Sequence, residues 1–208
     1  IRVDAVKIGM VSKIESIKAI AKALRNAENL PKVVLDPVMI SKSGFNLLSR
    51  DAKDTLVKEL FPLAELITPN LPEAEEILGV EIKTLDEMKE AAIKLMELGP
   101  KAVLVKGGHL EDDATDLLFD GKNFILLPQE RLNTTHTHGT GCTLSSAIAA
   151  NLAKGMTVEE AVKAGKKYIT CAIEHGFELG KGVGPTNHFY ELYKESGRYE
   201  EITGEKDK

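Results

Sequence analysis

The stretch "KVVLDPVM", Lys32–Met39, decides the class of fold to which this chain belongs. Val33, Val34 and Leu35 follow one another without a polar face, so the stretch predicts a strand that is buried on both sides. Pro37 cannot donate to a sheet ladder and ends the strand. A strand covered on both faces is typical of a parallel sheet that lies between two layers of helices.

Strands of this kind alternate with helical patterns along the rest of the chain. Further buried strands are predicted over Asp4–Met10, Ala64–Asn70 and Lys101–Gly108, and Ala114–Pro128 contains two strands around the hairpin signal Asp120-Gly121. Helices are predicted over Ser16–Asn29, Asp51–Phe61, a short segment from Leu71, Thr84–Gly99, Gly141–Lys154 and Thr157–Gly176. The expected fold is α/β, with a mostly parallel central sheet, helices on both faces and an antiparallel hairpin at one edge.

Composition narrows the class of partner. The chain has 208 residues and a formal net charge of −5, and no cluster of Lys and Arg stands out, so a nucleic-acid partner is not expected. No apolar run approaches the length needed to span a bilayer, so no membrane partner is expected either. The two cysteines, Cys142 and Cys171, lie in different helical patterns without metal-ligand spacing, which favours a reduced, cytoplasmic protein.

Polar residues and glycines follow the predicted parallel strands. Asp36 follows the second strand, Asn70 and Glu73 follow the third, Lys106 ends the fourth, and "GTGC", Gly139–Cys142, precedes a long helix. Ligands of open parallel sheets bind beyond the carboxyl ends of the strands. Carboxylates, a lysine and a helix N-terminus at one edge suit phosphate and Mg²⁺ better than a hydride carrier.

Each of these residues also has a purely structural explanation. Asp36 precedes a proline and could cap a loop, Glu73 could favour a helix dipole, and Lys106 could be a solvated strand end. The "GTGC" loop matches neither a Walker A nor a Rossmann glycine pattern, and alone it is equally well explained as a helix cap with close packing. The hypothesis of a phosphate site therefore depends on the whole set.

Several long motifs carry a resemblance to a known family. "KIGM", "VVLDPVM", "ITPNLPEAEEILG", "AVLVKGGH" and "HGTGCTLSSAIAANLAKG" closely resemble segments of the hydroxymethylpyrimidine/phosphomethylpyrimidine kinases of thiamine biosynthesis, which belong to the ribokinase-like superfamily. The motifs occur in family order and extend to "GPTNHFYEL", Gly184–Leu192. The resemblance implies one kinase domain over residues 1–192, followed by a polar tail or linker over residues 193–208.

The resemblance implies ATP-dependent phosphorylation of 4-amino-5-hydroxymethyl-2-methylpyrimidine, and then of its monophosphate to the diphosphate, with Mg²⁺. Two alternatives stay open, namely a pyridoxal kinase of the same superfamily and an inactive nucleotide-binding fragment. A homodimer is expected by analogy, and fusion to another thiamine-pathway domain is compatible with the polar C-terminal segment. Family members begin with a further strand and a glycine-rich segment, so the chain is expected to be N-terminally incomplete.

The resemblance also implies roles for single residues near the phosphates. The anion hole for the transferred phosphoryl group would consist of Gly139, Thr140, Gly141 and Cys142. Most superfamily members have an aspartate general base where this family has Cys142, and a thiol at a helix N-terminus could act as that base. Whether Cys142 acts as a base or only lines the anion hole is left open by the sequence.

The remaining implied roles concern the metal, the nucleotide and the substrate. Asp36 and Glu73 would hold Mg²⁺, and Glu73 forms an Asn-x-x-Glu element with Asn70, which would contact the nucleotide phosphates. The other implied contacts are Lys106, Thr137 and Gly184 for the nucleotide, and Met10 and Val38 for the pyrimidine pocket. Without the resemblance, Met10 is most simply explained as a core side chain.

Overall fold

Six strands and eight α-helices make up the part of the chain that the computed structural model describes, which is residues 2–39, 47–107, 115–128, 134, 139–177 and 182–204. The strands are β1 Ala5–Ile8, β2 Lys32–Leu35, β3 Leu66–Ile67, β4 Val103–Val105, β5 Asp116–Phe119 and β6 Phe124–Leu127. The helices are α1 Ile14–Arg25, α2 Arg50–Leu60, α3 Leu71–Leu78, α4 Leu85–Glu97, α5 Thr140–Ala153, α6 Val158–Glu174, α7 Tyr190–Glu195 and α8 Tyr199–Thr203, with a short 3₁₀ helix over Phe61–Leu63.

The strands form one sheet in the order β1-β2-β3-β4-β5-β6. β1 to β4 are parallel, and β5 and β6 continue the sheet as an antiparallel hairpin. Asp120 sets the hairpin turn, because its Oδ1 accepts hydrogen bonds from the N–H groups of Lys122 and Asn123. This arrangement confirms the expected fold class, and it places the carboxyl ends of four parallel strands at one edge.

Both faces of the sheet are covered. Along β2, Val33 and Leu35 pack into one core with α1, α2 and α4, whereas Val34 packs into a second core with α5 and α6. Successive side chains of a strand point to opposite faces, so an unbroken apolar run fills two cores at once. The result is a three-layer arrangement of helices, sheet and helices.

The helices begin where the capping residues predict. The Thr-x-x-Glu pattern of Thr84 and Glu87 forms a capping box at the start of α4, and the same pattern at Thr157 and Glu160 begins α6. Within the described residues, no helix has both the length and the apolar character needed to cross a membrane.

The C-terminal segment 193–208, expected as a polar tail or linker, contains the end of α7 and all of α8 in its described part. Tyr199 of α8 is buried, and its ring meets the ring of Tyr190 of α7 edge-on, with the centroids 5.2 Å apart. An aromatic pair of this geometry is stabilising. Part of this segment is therefore packed.

We expect the two hairpin leucines Leu118 and Leu126 to respond very differently to truncation. Leu118 of β5 is fully buried, so Leu118→Ala should lower the free energy of unfolding by about 2–5 kcal/mol. Leu126 of β6 is 45% exposed, so Leu126→Ala should cost about 1 kcal/mol or less. Urea denaturation of both variants tests this, and equal losses would contradict the described packing of the hairpin.

Candidate active site

A buried carboxylate lies at the centre of the site. Asp36 extends β2 by one residue, since its N–H donates to the carbonyl of Ile8 over 2.9 Å. Only 2% of Asp36 is exposed, so its charge needs partners. Lys106 Nζ lies 3.0 Å and Thr68 Oγ1 lies 3.2 Å from Asp36 Oδ1. Three neighbouring strand ends, those of β2, β3 and β4, thus converge on one carboxylate oxygen.

Lys106 connects this carboxylate to the start of α5. Its backbone is fixed beyond β4, because its N–H donates to the carbonyl of Pro69 over 2.9 Å and it forms a parallel bridge with Asn70. From there its side chain reaches Asp36. A β-carbon placed on Gly141 would lie only 3.2 Å from Lys106 Nζ. The ammonium therefore lies beside both the Asp36 carboxylate and the first turn of α5.

The first turn of α5 presents backbone donors. Gly139 is the N-cap residue and has φ +79°, in the left-handed region that favours glycine. The first helical hydrogen bond runs from the N–H of Thr143 to the carbonyl of Gly139 over 2.9 Å. The helix itself offers no acceptor to the N–H groups of Gly141 and Cys142, which precede that bond. Together with the helix dipole, these groups favour an anion beside Lys106.

Ser145 is a site residue that the sequence analysis did not identify. It is fully buried, and its Oγ lies 3.0 Å from the carbonyl oxygen of Gly141 and 3.1 Å from that of Cys142. The same Oγ lies 3.5 Å from Asp36 Oδ2. The sequence feature that points to Ser145 is a single hydroxyl among the apolar residues of the buried face of α5, one turn after Gly141. Thr68, at the end of β3, is a second such residue, since its hydroxyl donates to Asp36.

Asn70 and Glu73 cap α3 reciprocally. The Asn70 side chain accepts from the N–H of Glu73 over 2.8 Å, and Glu73 Oε2 accepts from the N–H of Asn70 over 2.8 Å. Burial raises the pKa of Glu73, and the nearby Asp36 carboxylate raises it further. The Lys106 ammonium and hydrogen bonds from the N–H groups of Asn70 and Met39 act in the opposite direction but do not outweigh burial. Glu73 therefore has a structural role and also shares its electrostatic environment with Asp36 and Lys106.

Cys142 lies on the open side of α5. It is exposed and unpaired, and it lines a groove of about 640 Å³ between α5 and α6 together with Tyr168 and His188. Tyr168 closes one side of the groove by donating from its hydroxyl to the carbonyl of His188 over 2.9 Å. The thiol is thus accessible to a molecule bound near the first turn of α5.

The remaining predicted residues lie around this centre. Met10, just beyond β1, is 58% exposed, so it is not a core side chain, and Val38 is half-buried beyond β2. Gly184 is buried in a segment that packs on the end of α6, where the N–H of Asn187 donates to the carbonyl of Ala172 over 2.8 Å. The predicted nucleotide contact Thr137 lies outside the described residues.

Taken together, the geometry combines a cation, the first turn of a helix and two buried carboxylates at the carboxyl edge of a parallel sheet. A phosphate group is the ligand that matches the cation and the helix N-terminus. The sequence model described as "Phosphomethylpyrimidine kinase" matches residues 1–187. The chain belongs to the phosphomethylpyrimidine kinase family, a family of phosphotransferases.

Curated relatives agree with this assignment. The hydroxymethylpyrimidine/phosphomethylpyrimidine kinase of Rhizobium meliloti is 50% identical over 197 residues, which is 93% of this chain and 73% of the relative. The thiamine biosynthesis bifunctional protein ThiED of Geobacter sulfurreducens is 49% identical over 189 residues, and the match covers 90% of this chain. The chain spans only 38% of that bifunctional protein.

Solved structures with high similarity include a phosphomethylpyrimidine kinase and a pyridoxal kinase. The chain matches a phosphomethylpyrimidine kinase from Clostridium difficile with a TM-score of 0.71 and 49% identity, over 80% of this chain and 68% of that one. It also matches the pyridoxal kinase of Bacillus subtilis, solved as an ADP complex, with a TM-score of 0.81 and 42% identity, over 91% and 71% of the two chains.

We expect the capping glutamates Glu73 and Glu87 to have opposite effects on the pH dependence of stability. The pKa of buried Glu73 is raised, so its protonated form is favoured by folding, and the stability of the wild type relative to Glu73→Gln should fall as pH rises above 4.5. Hydrogen bonds from the N–H groups of Lys83 and Thr84 lower the pKa of Glu87. The stability of the wild type relative to Glu87→Gln should therefore fall as pH drops below 4.5.

Urea denaturation in EDTA at several pH values between about 2.5 and 8 measures both differences, with each glutamate serving as the control for the other. The same direction for both pairs would contradict the burial of Glu73 described above.

Proposed function

We propose that the protein transfers the terminal phosphoryl group of ATP to the hydroxymethyl group of 4-amino-5-hydroxymethyl-2-methylpyrimidine, and then phosphorylates the monophosphate. The observation that carries the proposal is the position of Lys106 Nζ, 3.0 Å from Asp36 Oδ1 and beside Gly141 in the first turn of α5. Phosphoryl transfer needs positioning and charge stabilisation more than covalent chemistry. A lysine facing backbone donors supplies both.

The phosphoryl group would bind between Lys106 and the loop Gly139–Cys142. The N–H groups of Gly141 and Cys142 point out of the first turn of α5, and the absence of a side chain at Gly141 lets Lys106 approach. Preorganised donors of this kind are stronger in a site that excludes water. Thr140 lies in the same turn and belongs to the proposed anion hole.

Asp36 and Glu73 fit a site for Mg²⁺. Among the described residues, no three His, Cys, Asp or Glu side chains cluster closely enough to hold a metal by themselves. Mg²⁺, however, commonly binds through one or two carboxylates together with phosphate oxygens and water. Asp36 and Glu73 are both buried, and the Asp36 carboxylate disfavours the charge of Glu73, which a divalent cation would relieve. Bound there, Mg²⁺ would neutralise charge on the nucleotide phosphates.

Cys142 is the proposed general base of the first step. Its side chain is exposed in the first turn of α5, and in its thiolate form it would accept the proton of the substrate hydroxyl. The phosphate oxygen that attacks in the second step needs no such base. We place the pyrimidine ring against exposed Met10 and half-buried Val38, which lie beyond the carboxyl ends of β1 and β2.

The nucleotide would lie on the opposite side of this centre. We propose contacts from Asn70, Thr137 and Gly184, in addition to Lys106. A homodimer and a fusion to another thiamine-pathway domain also remain proposals, and the second is supported by the bifunctional relative. Both cysteines, Cys142 and Cys171, are free, which supports a reducing, cytoplasmic environment.

Pyridoxal kinase is the second candidate, because the match to the Bacillus subtilis enzyme has a TM-score of 0.81. A coupled assay with ATP and Mg²⁺ should compare the pyrimidine alcohol, its monophosphate and pyridoxal. We expect the highest kcat/KM for the two pyrimidines. Turnover of pyridoxal alone would favour the second candidate, and binding of ATP without turnover of any substrate would indicate an inactive nucleotide-binding protein.

We expect the two lysines that flank β4, Lys101 and Lys106, to differ sharply in that assay. Lys106→Met should lower kcat/KM for the pyrimidine by about 100-fold, since it removes the cation that faces the transferred group. Lys101 precedes the same strand and pairs with Glu65 at the amino ends of the strands, where Lys101 Nζ lies 3.0 Å from Glu65 Oε2. Lys101→Met should leave kcat/KM within about twofold, because the exposed Lys101 and its partner lie away from the chemistry. Similar losses for both lysines would contradict the role of Lys106.

Replacing Cys142 should affect the two phosphorylations unequally. Cys142→Ala should lower kcat for the alcohol by about 100-fold, which is the size of a general-base contribution, and should change kcat for the monophosphate by less than about fivefold. Separate steady-state assays with each substrate measure the two rates. Equal losses would mean that Cys142 only lines the anion hole.

A further inference from the structure

A buried ion pair lies behind the proposed phosphate site. Lys166 Nζ of α6 lies 2.6 Å from Asp116 Oδ2 of β5, and each side chain is only 11% exposed. The other oxygen, Asp116 Oδ1, accepts a hydrogen bond from the N–H of Gly107 over 2.9 Å. Both oxygens of one buried carboxylate are therefore used, one by a helix and one by the end of a strand.

Stabilisation of the fold alone does not explain why this ion pair is buried. Removing two charges from water costs free energy that their attraction does not always recover, so a buried ion pair is weak evidence of stabilisation. What the pair does provide is geometry, because a hydrogen-bonded carboxylate between two elements fixes their separation and direction. The elements joined here are α6 and the chain that directly follows Lys106.

The backbone of Gly107 is packed tightly against the segment that leads into β5. A β-carbon at Gly107 would lie 1.8 Å from the carbonyl oxygen of Thr115, so its backbone packs directly against the start of β5. One residue earlier, the N–H of Lys106 donates to the carbonyl of Pro69, in the segment that follows β3. The two peptide groups that flank the Lys106 α-carbon are thus both held, the first by Pro69 just beyond β3 and the second by Asp116.

The same turn of α6 also holds α5. Gly165, the residue before Lys166, packs so closely on α5 that a β-carbon there would lie 2.9 Å from Ile148 Cγ1 and 3.4 Å from Leu144 Cδ1. Leu144 lies one turn from the helix start that forms the proposed anion hole. Neighbouring residues of α6 therefore pack on α5 one turn after its start and, through Asp116, hold the backbone that follows Lys106.

We propose that Lys166 and Asp116 form a positioning pair, which sets the distance between the Lys106 ammonium and the first turn of α5 and so determines affinity for the polyphosphate of the nucleotide. Neither residue contacts substrate. The inference rests on the proposed function only in the identity of the ligand, since the positioning of Lys106 and Gly107 is a property of the unliganded protein.

The first experiment uses Lys166→Met and the double variant Lys166→Met/Asp116→Asn. The single variant leaves an uncompensated buried charge, so its Tm should fall, and the neutral double variant should regain most of that loss. The tether to α6 stays broken in both variants. We therefore expect KM for ATP to rise about tenfold in both, because misplacement of a binding group weakens the contacts that it makes. KM for the pyrimidine should change less than about threefold.

The matched control is Glu65→Gln. It breaks the ion pairs of Glu65 with Lys32 and Lys101, which lie at the amino ends of the strands, away from the proposed phosphate site. It should leave KM for ATP unchanged. A purely structural role for Lys166 predicts that KM for ATP recovers with Tm in the double variant, and that result would overturn the proposal.

A second readout is independent of catalysis. Amide hydrogen exchange at Gly107 should be faster in Lys166→Met than in the wild type, while exchange within β2 should stay the same. Absence of phosphoryl transfer in the wild type would refute the proposed function alone, and calorimetric titration with ADP would then replace KM. Unchanged exchange at Gly107 would overturn the positioning role whether or not the protein is a kinase.

Discussion

The ion pair between Asp36 and Lys106 is the constraint on which the site depends. A carboxylate that is almost completely buried must be compensated by a nearby charge and by hydrogen bonds. Lys106 supplies the charge, Thr68 supplies a hydroxyl, and the hydroxyl of Ser145 approaches from α5. Compensating one aspartate thus brings two further strand ends and a helix to the same point.

The sheet makes this convergence possible. Four parallel strands end at one edge, so the loops that follow them start side by side. The layer of α5 and α6 covers one face and places the start of α5 above that edge, while the buried pair of Lys166 and Asp116 ties α6 to the end of β4. The cation and the backbone donors are therefore held in place before any ligand arrives, as electrostatic catalysis requires.

Local patterns predicted most of the fold. The unbroken apolar runs of β2 and β4 indicated burial on both faces, and the Thr84/Glu87 capping box marked the start of α4. The third strand was predicted over Ala64–Asn70 but covers only Leu66–Ile67, because Pro69 has no N–H for the ladder and Asn70 turns to cap α3.

The site was less accessible to such patterns. Asp36, Asn70, Glu73 and Lys106 could be grouped because each follows a strand, and their grouping needs only the topology. The contacts of Ser145 with Asp36, and of Lys166 with Asp116, join residues that are 109 and 50 positions apart. No local spacing encodes such pairs, since they depend on how the helices pack on the sheet.

A crystal structure with ADP, aluminium fluoride, Mg²⁺ and the hydroxymethylpyrimidine would test the central claim most directly. The aluminium fluoride group mimics the transferred phosphoryl group. We expect its fluorine atoms to lie within about 3 Å of Lys106 Nζ and of the backbone nitrogens of Gly141 and Cys142. An anion bound elsewhere, with Lys106 still paired only to Asp36, would contradict the account.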